Sequence, residues 1–251
     1  MKTLVHSIAI LVLCACAFNA TAADKTVELT TPRASLIKLD IYNPGSPAVL
    51  LLAPGSSCSP RLDMYDALAL EAKTQPMTLV RVYWAYCLTK PTGTASDDLA
   101  TEKEDFLTAL DYVKNELGYP EAKIFVGGKS LGTFVSFEVF QAQSALAGLL
   151  MLTPVCTDAA DPKDHKNIFA ENYPNLLSET RSVLLVQGNV DPLCDTNHLQ
   201  DSLRGVPNNF VSMVTKGDHG LGIKNPDGQY NADLSALNLK AIARWVFAWL
   251  K

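Results

Sequence analysis

A chain of 251 residues, 48% hydrophobic and 19% charged, has the length and apolar content of one packed domain behind a short leader. Its net charge of −5, with no cluster of Lys or Arg, argues against nucleic acid and anionic membrane surfaces as partners. No internal repeat, low-complexity tract or Pro/Ser-rich linker divides it.

The first element is a leader. Lys2 precedes an apolar block from Leu4 to Phe18, and the small residues of Asn19-Ala-Thr-Ala-Ala23 follow. A basic start, a short hydrophobic stretch and a small-residue cleavage site define a secretory signal peptide over residues 1–23, which leaves 24–251 as a single domain. The block is shorter than the roughly 20 residues that a spanning helix needs, so no stable membrane insertion is expected after cleavage. A lipoprotein signal ending at Cys16 is the alternative. Export to the periplasm or beyond removes Cys14 and Cys16 and leaves Cys58, Cys87, Cys156 and Cys194. An even number in an oxidising compartment predicts disulfides, with three pairings open.

Short strands are predicted at Val27 to Leu29 and Ile37 to Ile41, followed by a turn at Pro44 to Pro47. Ala48 to Ala53 is a continuous apolar run, the mark of a strand buried on both faces, and it ends in Pro54-Gly-Ser-Ser-Cys58. Helical spacing covers residues 62–73, a strand covers Thr78 to Trp84, and helical spacing resumes from Ser96 to Leu117 until Gly118-Tyr-Pro120 stops it. Further strands read at Ile124 to Val126, Leu149 to Leu152, Val183 to Gln187 and Phe210 to Val214, with helices over residues 130–144 and 234–251. Strands alternating with helices imply a mostly parallel sheet, and such sheets bind ligands at the carboxyl ends of their strands.

The most informative stretch is Gly128-Lys-Ser-Leu-Gly132, between a strand and a helix. Here G-x-S-x-G makes a sharp turn that exposes the serine hydroxyl, and residues without bulky side chains are needed on either side of it. A helix-capping serine in a Gly-rich turn is the plainer reading. A phosphate loop, G-x-x-x-x-G-K-[ST], fails because Lys123 stands where its first glycine belongs. Ser130 is therefore a candidate nucleophile, and a serine hydroxyl needs a base and a group to orient that base.

His219 lies in Gly217-Asp-His-Gly220, just after the last strand, and is the candidate base. His165 and His198 fall in polar segments that do not follow a strand and read as surface residues. Asp191, four residues past the Val183 to Gln187 strand, is the candidate acid, and Asp195 and Asp218 compete with it. Asp218 is adjacent to His219 in sequence, where neighbouring side chains usually point apart, and Asp191 comes first. No Cys/His or His/Glu spacing suggests a metal site.

The order Ser130, Asp191, His219, each in a loop after a strand, resembles the α/β-hydrolase superfamily, and in particular its small, lidless members related to dienelactone hydrolases. The likeness spans the domain: Leu51 to Ser56 as oxyanion strand and loop, Leu79 to Trp84 as the next strand, Gly128 to Gly132 as the elbow, and Val186 to Asp191 and Asp218-His219 as the acid and base loops. It implies a three-layer sandwich with helices on both faces of the sheet. It also implies an oxyanion hole made by the backbone amides of Leu131 and Ser56, with Pro54-Gly55 where many relatives carry His-Gly. Gly55, Trp84, Tyr86 and Lys129 would line the substrate pocket, and Cys58 with Cys87 and Cys156 with Cys194 become the natural disulfides. The interval from Val155 to Thr180 is too short for a large lid, which predicts an open site.

The signal peptide and the resemblance together imply an exported serine hydrolase acting on a small-molecule ester or other acyl substrate, without metal or organic cofactor. A peptidase or thioesterase on the same residues is an alternative, as is a non-catalytic binding or scaffold protein on the same fold.

Overall fold

The computed structural model describes residues 22–58, 63–89, 93–158, 166–206 and 209–251. The leader up to residue 21 and His165 lie outside the described residues. Eight strands form one sheet: β1 (Lys25–Thr30), β2 (Leu36–Tyr42), β3 (Val49–Ala53), β4 (Thr78–Tyr83), β5 (Ile124–Lys129), β6 (Gly148–Leu152), β7 (Ser182–Gly188) and β8 (Phe210–Thr215), in the order β1-β2-β4-β3-β5-β6-β7-β8. The pairs β1–β2 and β2–β4 are antiparallel and every later pair is parallel.

The helices are α1 (Asp63–Ala72), α2 (Ala85–Thr89), α3 (Ala100–Asn115), α4 (Leu131–Ala142), α5 (Phe169–Asn172), α6 (Thr196–Ser202) and α7 (Ala232–Trp249). Strands β3 and β6 carry no polar side chain because both of their faces are covered. On β3, Leu51 packs with Phe106 of α3 and Val135 of α4, while Leu50 and Leu52 pack with Leu68 of α1 and Ile242 of α7. Alternation along one strand thus feeds two cores, one per face, and makes the expected three-layer sandwich. Burying each leucine contributes about 1.5–3 kcal/mol.

Two local departures from the sequence reading have physical causes. The helix expected from Ser96 begins at Ala100, because Leu99 takes a left-handed conformation with φ 56°. The preceding turn is held by Glu102, which accepts from the Ser96 backbone amide and hydroxyl. The second departure is α2, a single short helix immediately after β4, which was too brief to show a periodicity.

Candidate active site

Ser130, Asp191 and His219 each follow the carboxyl end of a parallel strand, β5, β7 and β8 respectively. Ser130 joins β5 to α4 with φ 52° and ψ −121°, a region that costs a non-glycine residue about 1–3 kcal/mol. The turn is held by close backbone packing: a Cβ on Gly128 would overlap the Gly132 carbonyl, and one on Gly132 would come within 2.6 Å of the Ala53 carbonyl. Glycine is therefore required at both places for space. The Ser130 amide donates to the Leu152 carbonyl at 3.0 Å, which fixes the elbow to β6 and leaves the side chain half-buried.

Asp191 and His219 come from loops 28 residues apart and meet directly, with His219 Nδ1 2.8 Å from Asp191 Oδ2. The Asp191 side chain is fully buried, whereas that of His219 keeps 25% of its surface. The carboxylate also accepts from Gln187 Nε2 and the Leu193 amide, each at 2.8 Å. These contacts and the one to His219 fix the carboxylate's orientation, and a buried polar group requires such partners. Gln187 escaped the sequence reading, although a polar residue closing an otherwise apolar strand was its signal.

The competing acids are engaged elsewhere. Asp218 accepts from Tyr230 Oη at 2.5 Å and the Gly220 amide at 2.9 Å, and pairs with Lys224 at 3.3 Å. Burial pushes its pKa up, yet these partners outweigh burial and hold it below the ordinary carboxylate value. Asp195 caps α6 by accepting from the Asn197 amide. His198 bonds Thr157 Oγ1 through Nδ1.

The loops that carry Asp191 and His219 are stitched together. The Val190 amide donates to the Gly217 carbonyl at 3.0 Å, and the Gly217 amide donates to Asn189 Oδ1 at 3.1 Å. Gly217 has φ 147°, a conformation that glycine tolerates. The Ser130 hydroxyl makes no hydrogen bond to another described residue. Nucleophile–base bonds are often long in unliganded sites and tighten when substrate arrives.

Gly55 passes close to Ser130, since a Cβ placed there would be 3.5 Å from Ser130 Cβ and 3.4 Å from the Lys129 carbonyl. Trp84 is fully buried and donates through Nε1 to the Gly55 carbonyl at 3.1 Å, and Tyr86 Oη donates to the Ser56 carbonyl at 3.0 Å. Both aromatic residues thus touch the loop after β3. Lys129 is 6% exposed. Burial pushes it down to about 8, against the opposing pull of Asp191 and Asp218.

Disulfides join Cys58 to Cys87 and Cys156 to Cys194, with Cα separations of 5.0 and 4.5 Å. The first ties the loop after β3 to α2, and the second ties the segment after β6 to the acid loop. Among the described residues no cluster of His, Cys, Asp or Glu could hold a metal ion, and no helix is long and apolar enough to cross a membrane.

Sheet order, elbow and the acid–base contact together describe an α/β-hydrolase domain, and the chain belongs to that family: residues 46–247 match the α/β hydrolase domain. No curated protein matches the sequence. Among solved structures, an α/β serine hydrolase homologue from Coxiella burnetii superposes with a TM-score of 0.64 at 16% identity, over 89% of this chain and 97% of that one. The esterase domain of a Rhodothermus marinus protein gives 0.61 at 18% identity, over 90% and 99%. A Xanthomonas campestris serine hydrolase without a lid gives 0.62 at 16%, over 91% and 96%.

Proposed function

We propose that this chain is an exported serine hydrolase that cleaves carboxylic esters through Ser130, His219 and Asp191. The observation that carries the reading is the 2.8 Å contact between His219 Nδ1 and Asp191 Oδ2. It commits Nδ1 to the carboxylate and leaves Nε2 as the basic nitrogen. In this mechanism His219 Nε2 takes the Ser130 proton as Oγ attacks the ester carbonyl. The amides of Leu131 and Ser56 stabilise the oxyanion, and the imidazolium then protonates the departing alcohol. Water, activated by the same histidine, attacks the acyl-enzyme and releases the acid. Asp191 orients the imidazole and stabilises the imidazolium.

Esters are favoured as the acyl class because structural neighbours from Rhodothermus marinus and Pyrococcus furiosus are described as esterases. The two disulfides support export, with residues 1–23 as the signal peptide and 24–251 as the mature domain.

The test is hydrolysis of p-nitrophenyl esters from acetate to palmitate by wild type, Ser130→Ala and His219→Ala. Loss of several orders of magnitude in both variants is expected. Absence of Ser130-dependent turnover on every ester would redirect the assignment to peptides or thioesters, and failure of a fluorophosphonate probe to label Ser130 as well would favour a non-catalytic binding protein.

A further inference from the structure

Resting on the hydrolase reading above, we propose that Trp84 and Tyr86 are positioning residues that lock the oxyanion loop by holding the carbonyls of two successive peptide units. In a trans peptide the carbonyl of one residue and the amide of the next lie in one rigid plane and point in opposite directions. The Gly55 carbonyl and the Ser56 amide belong to the same plane, and none of the described peptide bonds is cis. Trp84 Nε1 binds that carbonyl at 3.1 Å, so the Ser56 amide must face the opposite way. The amide makes no hydrogen bond to a described residue, which leaves it available to an incoming oxyanion. Gly55 itself lies against Ser130.

One plane held at one point can still rotate with its neighbours. Tyr86 Oη binds the next carbonyl, that of Ser56, at 3.0 Å, so the peptide planes on both sides of Ser56 are held, and a concerted rotation of the two would have to break both hydrogen bonds. Two residues further, Cys58 is bonded to Cys87. Three neighbouring residues of one segment, Trp84, Tyr86 and Cys87, thus hold three residues of the oxyanion loop. That segment is itself anchored: the Ala85 amide donates to Asp105 Oδ2 at 2.9 Å, and Asp105 pairs with Arg33 at 2.5 Å.

Both donors suit the task. Trp84 is fully buried, where a lost partner would leave the Gly55 carbonyl unsatisfied. Burial, with Glu102 and Asp105 nearby, pushes the Tyr86 hydroxyl up to about 12, so it remains a donor at neutral pH. A preorganised amide stabilises charge without reorganising at the moment of reaction.

The test compares wild type, Trp84→Phe and Tyr86→Phe for kcat, KM and affinity for an aryl trifluoromethyl ketone, which presents an oxyanion to the hole. Removing a whole oxyanion donor costs about a hundredfold to a thousandfold in kcat, so misaiming one is expected to cost about tenfold to a hundredfold in Trp84→Phe and less in Tyr86→Phe. KM should change little, and ketone affinity should fall in step with kcat. Tyr86→Phe removes one oxygen from a half-buried ring and keeps the test valid if Trp84→Phe does not fold, as judged by near-UV circular dichroism. Folded variants with wild-type kcat and ketone affinity, or with only KM raised, would overturn the proposal. A wild type without Ser130-dependent turnover would overturn the hydrolase reading instead.

Discussion

His219 Nδ1 meets Asp191 Oδ2 at 2.8 Å across 28 residues of chain, while Asp218, its immediate neighbour in sequence, turns its carboxylate to Tyr230 and Lys224. Adjacent residues in a tight loop point apart, so the partner of the imidazole has to come from another strand end. Asp191→Asn is expected to lower kcat about ten-thousandfold, as loss of the acid does in related triads, and Asp218→Asn far less. Steady-state hydrolysis of p-nitrophenyl acetate checks this, and equal losses in the two variants would remove Asp191 from its assigned role.

Gly132 is needed for space. A methyl group there would meet the Ala53 carbonyl at 2.6 Å and also press on the Pro54 carbonyl at the mouth of the oxyanion loop. Gly132→Ala is expected to lower stability by about 1–3 kcal/mol, the usual cost of overpacking, and to lower kcat with it. Urea unfolding measures the first effect, and an unchanged midpoint would show that the elbow has more room than its backbone allows.

Lys129 gives a stability signature in pH. Its pKa is about 8 in the folded protein and 10.5 as the ordinary value. Between those values the unfolded chain binds more protons, so stability rises with pH across the window, and the penalty is complete below about pH 8. Lys129→Met is therefore expected to gain on the order of 3 kcal/mol near pH 7, a gain that shrinks to about 1 kcal/mol near pH 10. Urea midpoints of both proteins at the two pH values decide the matter, and an equal gain at both would contradict the assignment.

The Cys156–Cys194 disulfide supports the acid loop. The Cys156 and Thr157 amides both donate to the Leu193 carbonyl, and Gln187 Nε2 reaches Asp191 Oδ2 and the Cys194 carbonyl together. The double variant Cys156→Ala/Cys194→Ala is expected to lose about 2–4 kcal/mol of stability and to lose activity as Asp191 loosens. Thermal melts and ester turnover measure the two effects. Full activity in the double variant would show that the hydrogen bonds alone hold the loop.

Much of this was legible in the chain. Continuous apolar runs such as Val49 to Ala53 and Leu149 to Leu152 announce strands covered on both faces, because a polar residue there would be buried without a partner. The elbow was legible because its conformation admits so few residue types at 128 and 132. Other features left no mark: the left-handed Leu99 that shortens α3, the brief α2, and the partners of the Gly55 and Ser56 carbonyls. Backbone carbonyls carry no residue signature, and one short turn is below any periodicity.

The sequence by itself determined the strands, the elbow and the candidate chemistry, since burial and backbone conformation act residue by residue. Only the tertiary structure decided which aspartate faces His219, that Gln187 and the Leu193 amide bind Asp191, and that Trp84 and Tyr86 bind the Gly55 and Ser56 carbonyls. Those choices depend on hydrogen bonds about 3 Å long, many of them between residues far apart in the chain, and such contacts exist only once the sheet has brought the strand ends together.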